Sequence, residues 1–198
     1  MPPVNGQRIG LLGGSFNPAH EGHLHISTLA LQRLKLDQLW WLVSPQNPLK
    51  ASDGMASFAV RLAAAKKITS IDARIIVSAF EETLPSRHTV DTIAALKRQY
   101  PGVSFVWVMG ADLLVQLPRW KRWRALFRML PIAIFARPAY SSRALAGKAA
   151  RRFAGSRIAR FRARSLADMK APAWVFLRTR LNKQSATRIR AKSRHGGT

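Results

Sequence analysis

Ile9-Gly10-Leu11-Leu12-Gly13-Gly14-Ser15-Phe16-Asn17-Pro18-Ala19-His20-Glu21-Gly22-His23 decides the fold. The run 9–12 is short, apolar and closed by two glycines, the pattern of a buried strand ending in a tight turn. An amphipathic helix is expected next over 22–34, with Leu24, Leu29, Leu31 and Leu34 as its apolar positions. Strand, glycine turn, helix is the opening unit of a doubly wound sheet, where ligands bind at the carboxyl ends of strands. Gly13 and Gly14 would let a phosphate approach the backbone closely. The helix that follows offers free N–H groups and a positive dipole end. His20 and His23 lie three residues apart and would share a face at that helix N-terminus, as donors to phosphate oxygens. Two other readings stand beside this one. The pair could ligate a metal, although no third His or carboxylate follows at a zinc-enzyme spacing. It could simply pack. His25 reads as structural or solvated. The stretch is neither Gly-x-Gly-x-x-Gly nor a Walker loop.

The rest of the chain repeats the unit. Apolar runs at 39–43, 74–77, 103–108, 132–135 and 174–177 predict five more strands. Their continuous apolarity, without alternation, predicts burial on both faces and so a parallel sheet covered by helices. Helical patterns fall between them at 56–68, 89–99 (capped by Thr89), 120–127 and 142–153. A short helix opened by Ser185 is expected over 185–192, and 148–164 reads as an Arg/Ala helix pattern. The fold class is therefore α/β, a Rossmann-like doubly wound parallel sheet, in one domain over 1–198 with a short basic tail, 191–198.

Composition narrows the function. The 198 residues contain no cysteine, which excludes disulfides, Cys-based zinc sites, iron–sulfur clusters and thiol nucleophiles. Hydrophobic residues make up 47%, enough for a substantial core. No apolar run approaches the roughly 18 residues of a membrane span, and no secretory signal pattern opens the chain. A cytoplasmic location is expected. The formal net charge is +24, and it is lopsided. Residues 1–118 hold 11 Lys+Arg and 8 acids, whereas residues 119–198 hold 22 and 1. An anionic partner is one reading: nucleic acid, a membrane surface or a phosphorylated small molecule. Solvated surface arginine is the other.

Residues 13–23 resemble the GG(S/T)F(D/N)PxHxGH signature of the nucleotidylyltransferase superfamily, and the chain over about 8–190 is similar to the bacterial nicotinate-nucleotide adenylyltransferases. The likeness runs on through Ser44-Pro45-Gln46-Asn47-Pro48-Leu49-Lys50, Arg87-His88-Thr89-Val90-Asp91-Thr92 and Met109-Gly110-Ala111-Asp112-Leu113. It continues in Leu117-Pro118-Arg119-Trp120 and Ala136-Arg137-Pro138-Ala139-Tyr140. It ends in Ser185-Ala186-Thr187-Arg188-Ile189-Arg190, which looks like the family's ISSTxIR motif. The resemblance implies that the phosphate of nicotinate mononucleotide attacks the α-phosphorus of ATP, giving deamido-NAD and pyrophosphate. Such a nucleophile arrives ionised and needs no strong general base, which suits a chain poor in acids.

The resemblance also implies roles. His20, His23 and Arg190 would be catalytic. Gly13, Gly14, Ser15, Phe16, Gly110, Asp112, Ser185 and Thr187 would bind ATP, whose phosphates carry Mg²⁺; no protein metal site is expected. Asn47, Lys50, His88, Thr89, Trp120 and Arg137 would bind the mononucleotide, Thr89 through the carboxylate and Trp120 by stacking on the pyridine. Each role has a plainer counterpart: Ser185 or Asp112 as helix caps, Trp120 and Trp123 as packing, Lys50 as surface charge. The chain departs from the family pattern at Gln184, Ala186, Ala136, Ala139 and His88, positions where an aliphatic residue, Ser, an acid, Gly and Tyr are usual. Nicotinamide mononucleotide or phosphopantetheine as acceptor stays open. From another class, so does a basic nucleic-acid-binding module, although no helix-turn-helix or RNP-like pattern supports specific recognition.

Overall fold

The computed structural model describes residues 3–45, 55–137 and 139–178. Six strands form one sheet: β1 (Arg8–Gly14), β2 (Gln38–Val43), β3 (Ile75–Ser78), β4 (Ser104–Gly110), β5 (Ile132–Phe135) and β6 (Trp174–Leu177). Their order is β3-β2-β1-β4-β5-β6, and every pairing is parallel. All six runs named from the sequence are strands, and the doubly wound class is met.

Continuous apolarity has the cause inferred for it. Along β4, Phe105, Trp107 and Met109 enter one core layer while Val106 and Val108 enter the other. Trp40 and Leu42 of β2 face the first layer, and Leu39, Trp41 and Val43 face the second. Residues of alternate parity point to opposite faces, so a strand buried on both must be apolar throughout.

Helices α1 (Glu21–Arg33) and α2 (Phe58–Thr69) send Leu24, Ala30, Leu31 and Ala65 into the second layer. Helix α3 (Thr89–Gln99) gives Val90, Ile93 and Leu96 to the first, joined by Leu114 of α4 (Ala111–Gln116) and Leu126 of α5 (Trp123–Met129). Helices α6 (Ser141–Ala146) and α7 (Lys148–Arg152) complete that layer with Ala144, Ala149 and Ala150.

Four readings of the second half are corrected. Helix α4, expected only through Asp112 as a cap and given no bounds, starts one residue before it, at Ala111. The helix expected at 120–127 begins only at Trp123, because residues 117–119 form a 3-10 turn and Arg122 adopts φ 51°, outside helical space. The segment 142–153 is two helices broken at Gly147, whose extended backbone (ψ 163°) ends one and caps the next. The pattern over 148–164 ends at Arg152; after a short turn, residues 160–168 wind as a 3-10 helix. There Ala163 and Leu166, three apart, are buried together, which matches a period of three. Asp168 at its end forms a bidentate pair with Arg8 (3.0 and 2.9 Å), tying this helix to the start of β1. Helix α3 spans the expected residues, but its N-cap is His88; Thr89 is the first helical residue.

The chain runs β1, β2, β3 to one side and then returns to place β4 on the other side of β1. The carboxyl ends of β1 and β4 therefore flank the topological switch point, where open α/β sheets bind ligands.

Candidate functional site

The turn after β1 is built around close approach. A Cβ on Gly13 would lie 2.6 Å from Cη2 of Trp107, so no side chain fits there. Phe16 is fully buried with φ 46°, a left-handed backbone uncommon outside glycine. Its ring stacks on Trp41 (4.7 Å between centroids, 11° between planes) and meets His23 at 4.8 Å. The Trp41 indole N–H donates to Ser27 Oγ (2.7 Å), and that hydroxyl donates to the carbonyl of His23 (2.8 Å). Strand β2 thus anchors both the turn and the first turn of α1.

His20 is the N-cap of α1, and the two histidines form a reciprocal capping box. Nδ1 of His20 accepts from the Gly22 N–H (3.0 Å), and Nδ1 of His23 accepts from the His20 N–H (3.3 Å). An accepting Nδ1 carries no proton, so each neutral ring bears its hydrogen on Nε2. The rings sit 3.8 Å apart. Burial, and secondarily the charge of Arg137, push His20 down to about 4, so its ring is neutral near pH 7. The result is a pair of neutral imidazoles with Nε2–H donors beside a helix N-terminus. This arrangement suits oxygens of a phosphate.

The ends of β4 and β5 close the other side. A Cβ on Gly110 would run into Asp112 and into Arg137 Nε, 2.9 Å away. Gly110, not Asp112, is the N-cap of α4. Asp112 instead pairs with Arg137 (Nε to Oδ1, 3.4 Å), and both atoms are buried without a hydrogen bond among the described residues. Gly13, Gly14, Ser15, Phe16, His20, His23, Gly110, Asp112 and Arg137 are thus gathered at the carboxyl ends of three adjacent strands.

A cavity of about 270 Å³ opens beside them. Gly13, Gly14 and Ser44 border it on the turn side, and Trp107, Trp123, Val90 and Leu126 form apolar wall. His88 and Thr89 bring the N-terminus of α3 to it, with the helix's first N–H groups outside intrahelical bonding. Trp120, half-buried, also lines it, as do Arg87, Arg119 and Lys121. Trp123 serves both as wall and as packing, meeting Phe127 and Phe153 edge-on. Among the described residues, the buried Trp107 indole N–H has no hydrogen-bond partner.

Two residues here were not named from sequence. Glu81, 8% exposed, lines the cavity, accepts from Thr92 Oγ1 (3.3 Å) and is hydrogen-bonded by the Ser44 side chain. Burial pushes its carboxyl up to about 7 despite those bonds. Arg61, 2% exposed, donates to four backbone carbonyls around the turn. The only sequence signal for Arg61 was its place on the inner stripe of α2, with Phe58, Leu62, Ala65 and Thr69 at helical spacing. Asn47, Lys50, Ser185, Thr187 and Arg190 lie outside the described residues. Among the described residues, no three His, Asp or Glu side chains group to hold a metal, and no helix is long and apolar enough to cross a membrane.

The cytidylyltransferase-like family matches residues 11–192. A relative from Parvibaculum lavamentivorans, bearing the name nicotinate-nucleotide adenylyltransferase, is 50% identical over 187 residues, covering 94% of this chain and 92% of its own. One of the same name from Gluconobacter oxydans is 51% identical over 183 residues, covering 92% and 93%. Among solved structures, the nicotinic acid mononucleotide adenylyltransferase of Plasmodium falciparum, complexed with NaAD, superposes with a TM-score of 0.71. It is 16% identical, over 93% of this chain and 83% of that one, a likeness of fold. With half of its residues shared across nearly the full length of such relatives, the chain belongs to the nicotinate-nucleotide adenylyltransferase family.

Proposed function

We propose that the protein transfers the adenylyl group of ATP to nicotinate mononucleotide, releasing deamido-NAD and pyrophosphate, a step of NAD biosynthesis. The observation that carries this reading is the juxtaposition of two sites. One is a pair of neutral imidazoles at the N-terminus of α1 beside a glycine turn; the other is an aromatic cavity at the N-terminus of α3. Relatives bearing the family name support the choice of substrates.

In the transfer, a phosphate oxygen of the mononucleotide bonds to the α-phosphorus. The bond from that phosphorus to the bridging oxygen breaks, and pyrophosphate leaves with the electron pair. No proton need be removed from the nucleophile. Catalysis then rests on alignment and on stabilising charge at the transferring group. Nε2–H of His23 and of His20 would donate to α-phosphate oxygens, with the backbone of Gly13, Gly14, Ser15 and Phe16 shaping the nucleotide site. Asp112 would meet the ribose directly or hold Arg137 for a phosphate. Ser185, Thr187 and Arg190 would hold the β- and γ-phosphates. Mg²⁺ enters with ATP as part of the substrate.

The free N–H groups at Thr89 and Val90, together with Arg87 and Lys121, favour a carboxylate over a carboxamide on the ring. Trp120 would stack on the pyridine, and Asn47, Lys50 and His88 would border the same pocket. The protein would work in the cytoplasm. Pyrophosphate release measured with nicotinate mononucleotide, nicotinamide mononucleotide and phosphopantetheine tests the assignment. The first should give the highest kcat/KM; equal or better use of the amide overturns the choice of acid.

A further inference from the structure

Arg61 is a buried cation with no acidic partner among the described residues. Its Nε donates to the Ala56 carbonyl (3.0 Å), Nη2 to that of Pro45 (2.7 Å), and Nη1 to those of Ser15 and Ser44 (2.7 Å each). The guanidinium also lies 5.5 Å from the Phe58 ring. Burial lowers its basicity, as expected for a charge withdrawn from water. A shape-matched apolar side chain would keep the packing but leave those four carbonyl oxygens without this donor.

What the guanidinium does do is orient two segments. The peptide after Ser15 is planar, so drawing its C=O toward Arg61 turns the Phe16 N–H to the opposite side of the loop. That is the residue held at φ 46°. The same Nη1 grips Ser44, which borders the aromatic cavity and hydrogen-bonds Glu81. One nitrogen therefore spans the nucleotide turn and the wall of the acceptor pocket.

We propose that Arg61 is a positioning residue for adenylyl transfer: it fixes the turn 13–16 against the end of β2, and so sets the two substrates at reacting distance. The inference rests on the function proposed above. The test compares steady-state kinetics of wild type, R61M, R61K and R61A, normalised to folded protein, with thermal unfolding measured in parallel. A misplacement of about 1 Å at a reacting centre costs on the order of 100-fold in rate. R61M should thus lose about 100-fold in kcat, more than either KM rises, while still unfolding cooperatively. R61K, with three donors and no planar fork, should lie between. Guanidinium at non-denaturing concentration should restore R61A by about tenfold or more, with potassium chloride at equal ionic strength restoring nothing.

Wild-type kcat in folded R61M overturns the inference and leaves the proposed function standing. So does loss of the folded state in both R61M and R61K, which would make Arg61 a stability residue only. Absence of pyrophosphate release by the wild type with ATP and nicotinate mononucleotide overturns the proposed function and this inference with it.

Discussion

Glu81 gives the sharpest test of the site's electrostatics, because replacing it with glutamine removes one titration and little else. The carboxyl is buried at the wall of the cavity, accepts from Thr92 and Ser44, and ionises in the folded protein at about 7 instead of 4.5. A folded value above the unfolded one means the native state holds the proton more tightly. The stability this contributes is complete below about pH 4.5 and is lost as pH rises through 7. Ionising the group in place, relative to water, costs about 3 kcal/mol at 1.36 kcal/mol per pH unit. Between pH 5 and pH 9 the wild type should therefore lose about 2.5 kcal/mol relative to E81Q, most of it between about pH 5 and 7.5. Urea unfolding followed by the fluorescence of the six tryptophans, at one-unit steps over that range, reads the difference directly. All other groups titrate alike in both proteins and cancel. Parallel stability curves for the two would show that the carboxyl ionises normally in the folded protein, and the reasoning would fail. The neutral form also matters to the ligand: it spares the cavity a negative charge where an anionic acceptor would enter.

G13A places a methyl group against the ring of the buried Trp107. It should cost roughly 2 kcal/mol on denaturant unfolding, and an unchanged midpoint would mean that the turn is less tightly held than the 2.6 Å contact requires. H23A should lower kcat by about 10²–10³ while raising the ATP KM only modestly, because the contact strengthens in the transition state; full turnover in the folded variant would remove His23 from the chemistry. His20 prefers the neutral form when folded, so it contributes stability that is lost as pH falls from 6.5 to about 4. Its ring proton in NMR should accordingly titrate near 4, and a midpoint near 6.5 would show an imidazole open to water. W120A should raise the mononucleotide KM far more than the ATP KM; equal effects on both would assign Trp120 to packing.

What the sequence disclosed and what it hid follow one physical line. Each strand is apolar on both faces, so its burial is written in consecutive residues such as Trp40, Trp41 and Leu42. The glycine turn and the histidines fall within one strand–turn–helix unit, and their chemistry needs only local spacing. Helix α4 has six residues, too few for a period to emerge beside the apolar end of β4. The break at Gly147 depends on one extended residue within an otherwise continuous Ala/Arg pattern. Asp112 and Arg137 stand 25 positions apart, and only the adjacency of β4 and β5 makes them partners. Arg61 shows in the sequence only as a charge on the inner stripe of α2, and the partners that bury it and Glu81 come from distant segments that no single window contains.

The basic excess divides along the same line. Among the described residues, four acids are taken up by arginines, as Asp168 with Arg8, Asp72 with Arg74, Asp91 with Arg122 and Asp112 with Arg137, and the whole chain has only nine acids. Most of the 33 basic residues therefore have no acid to meet. Two basic residues are tied into the site's own framework. Arg61 comes from the nearly balanced first 118 residues, and Arg137 is held at a strand end by a carboxylate. Arg87, Arg119 and Lys121 at the cavity are placed to meet an anion. A positive field of this size speeds the capture of polyanionic substrates, but it falls off within about 10 Å at ordinary salt. Selection among anions must come from shape and from short contacts, from the turn that excludes a Cβ at Gly13 and from the His20 imidazole held neutral by burial. Placement, more than total charge, is what distinguishes this site from the basic surface around it.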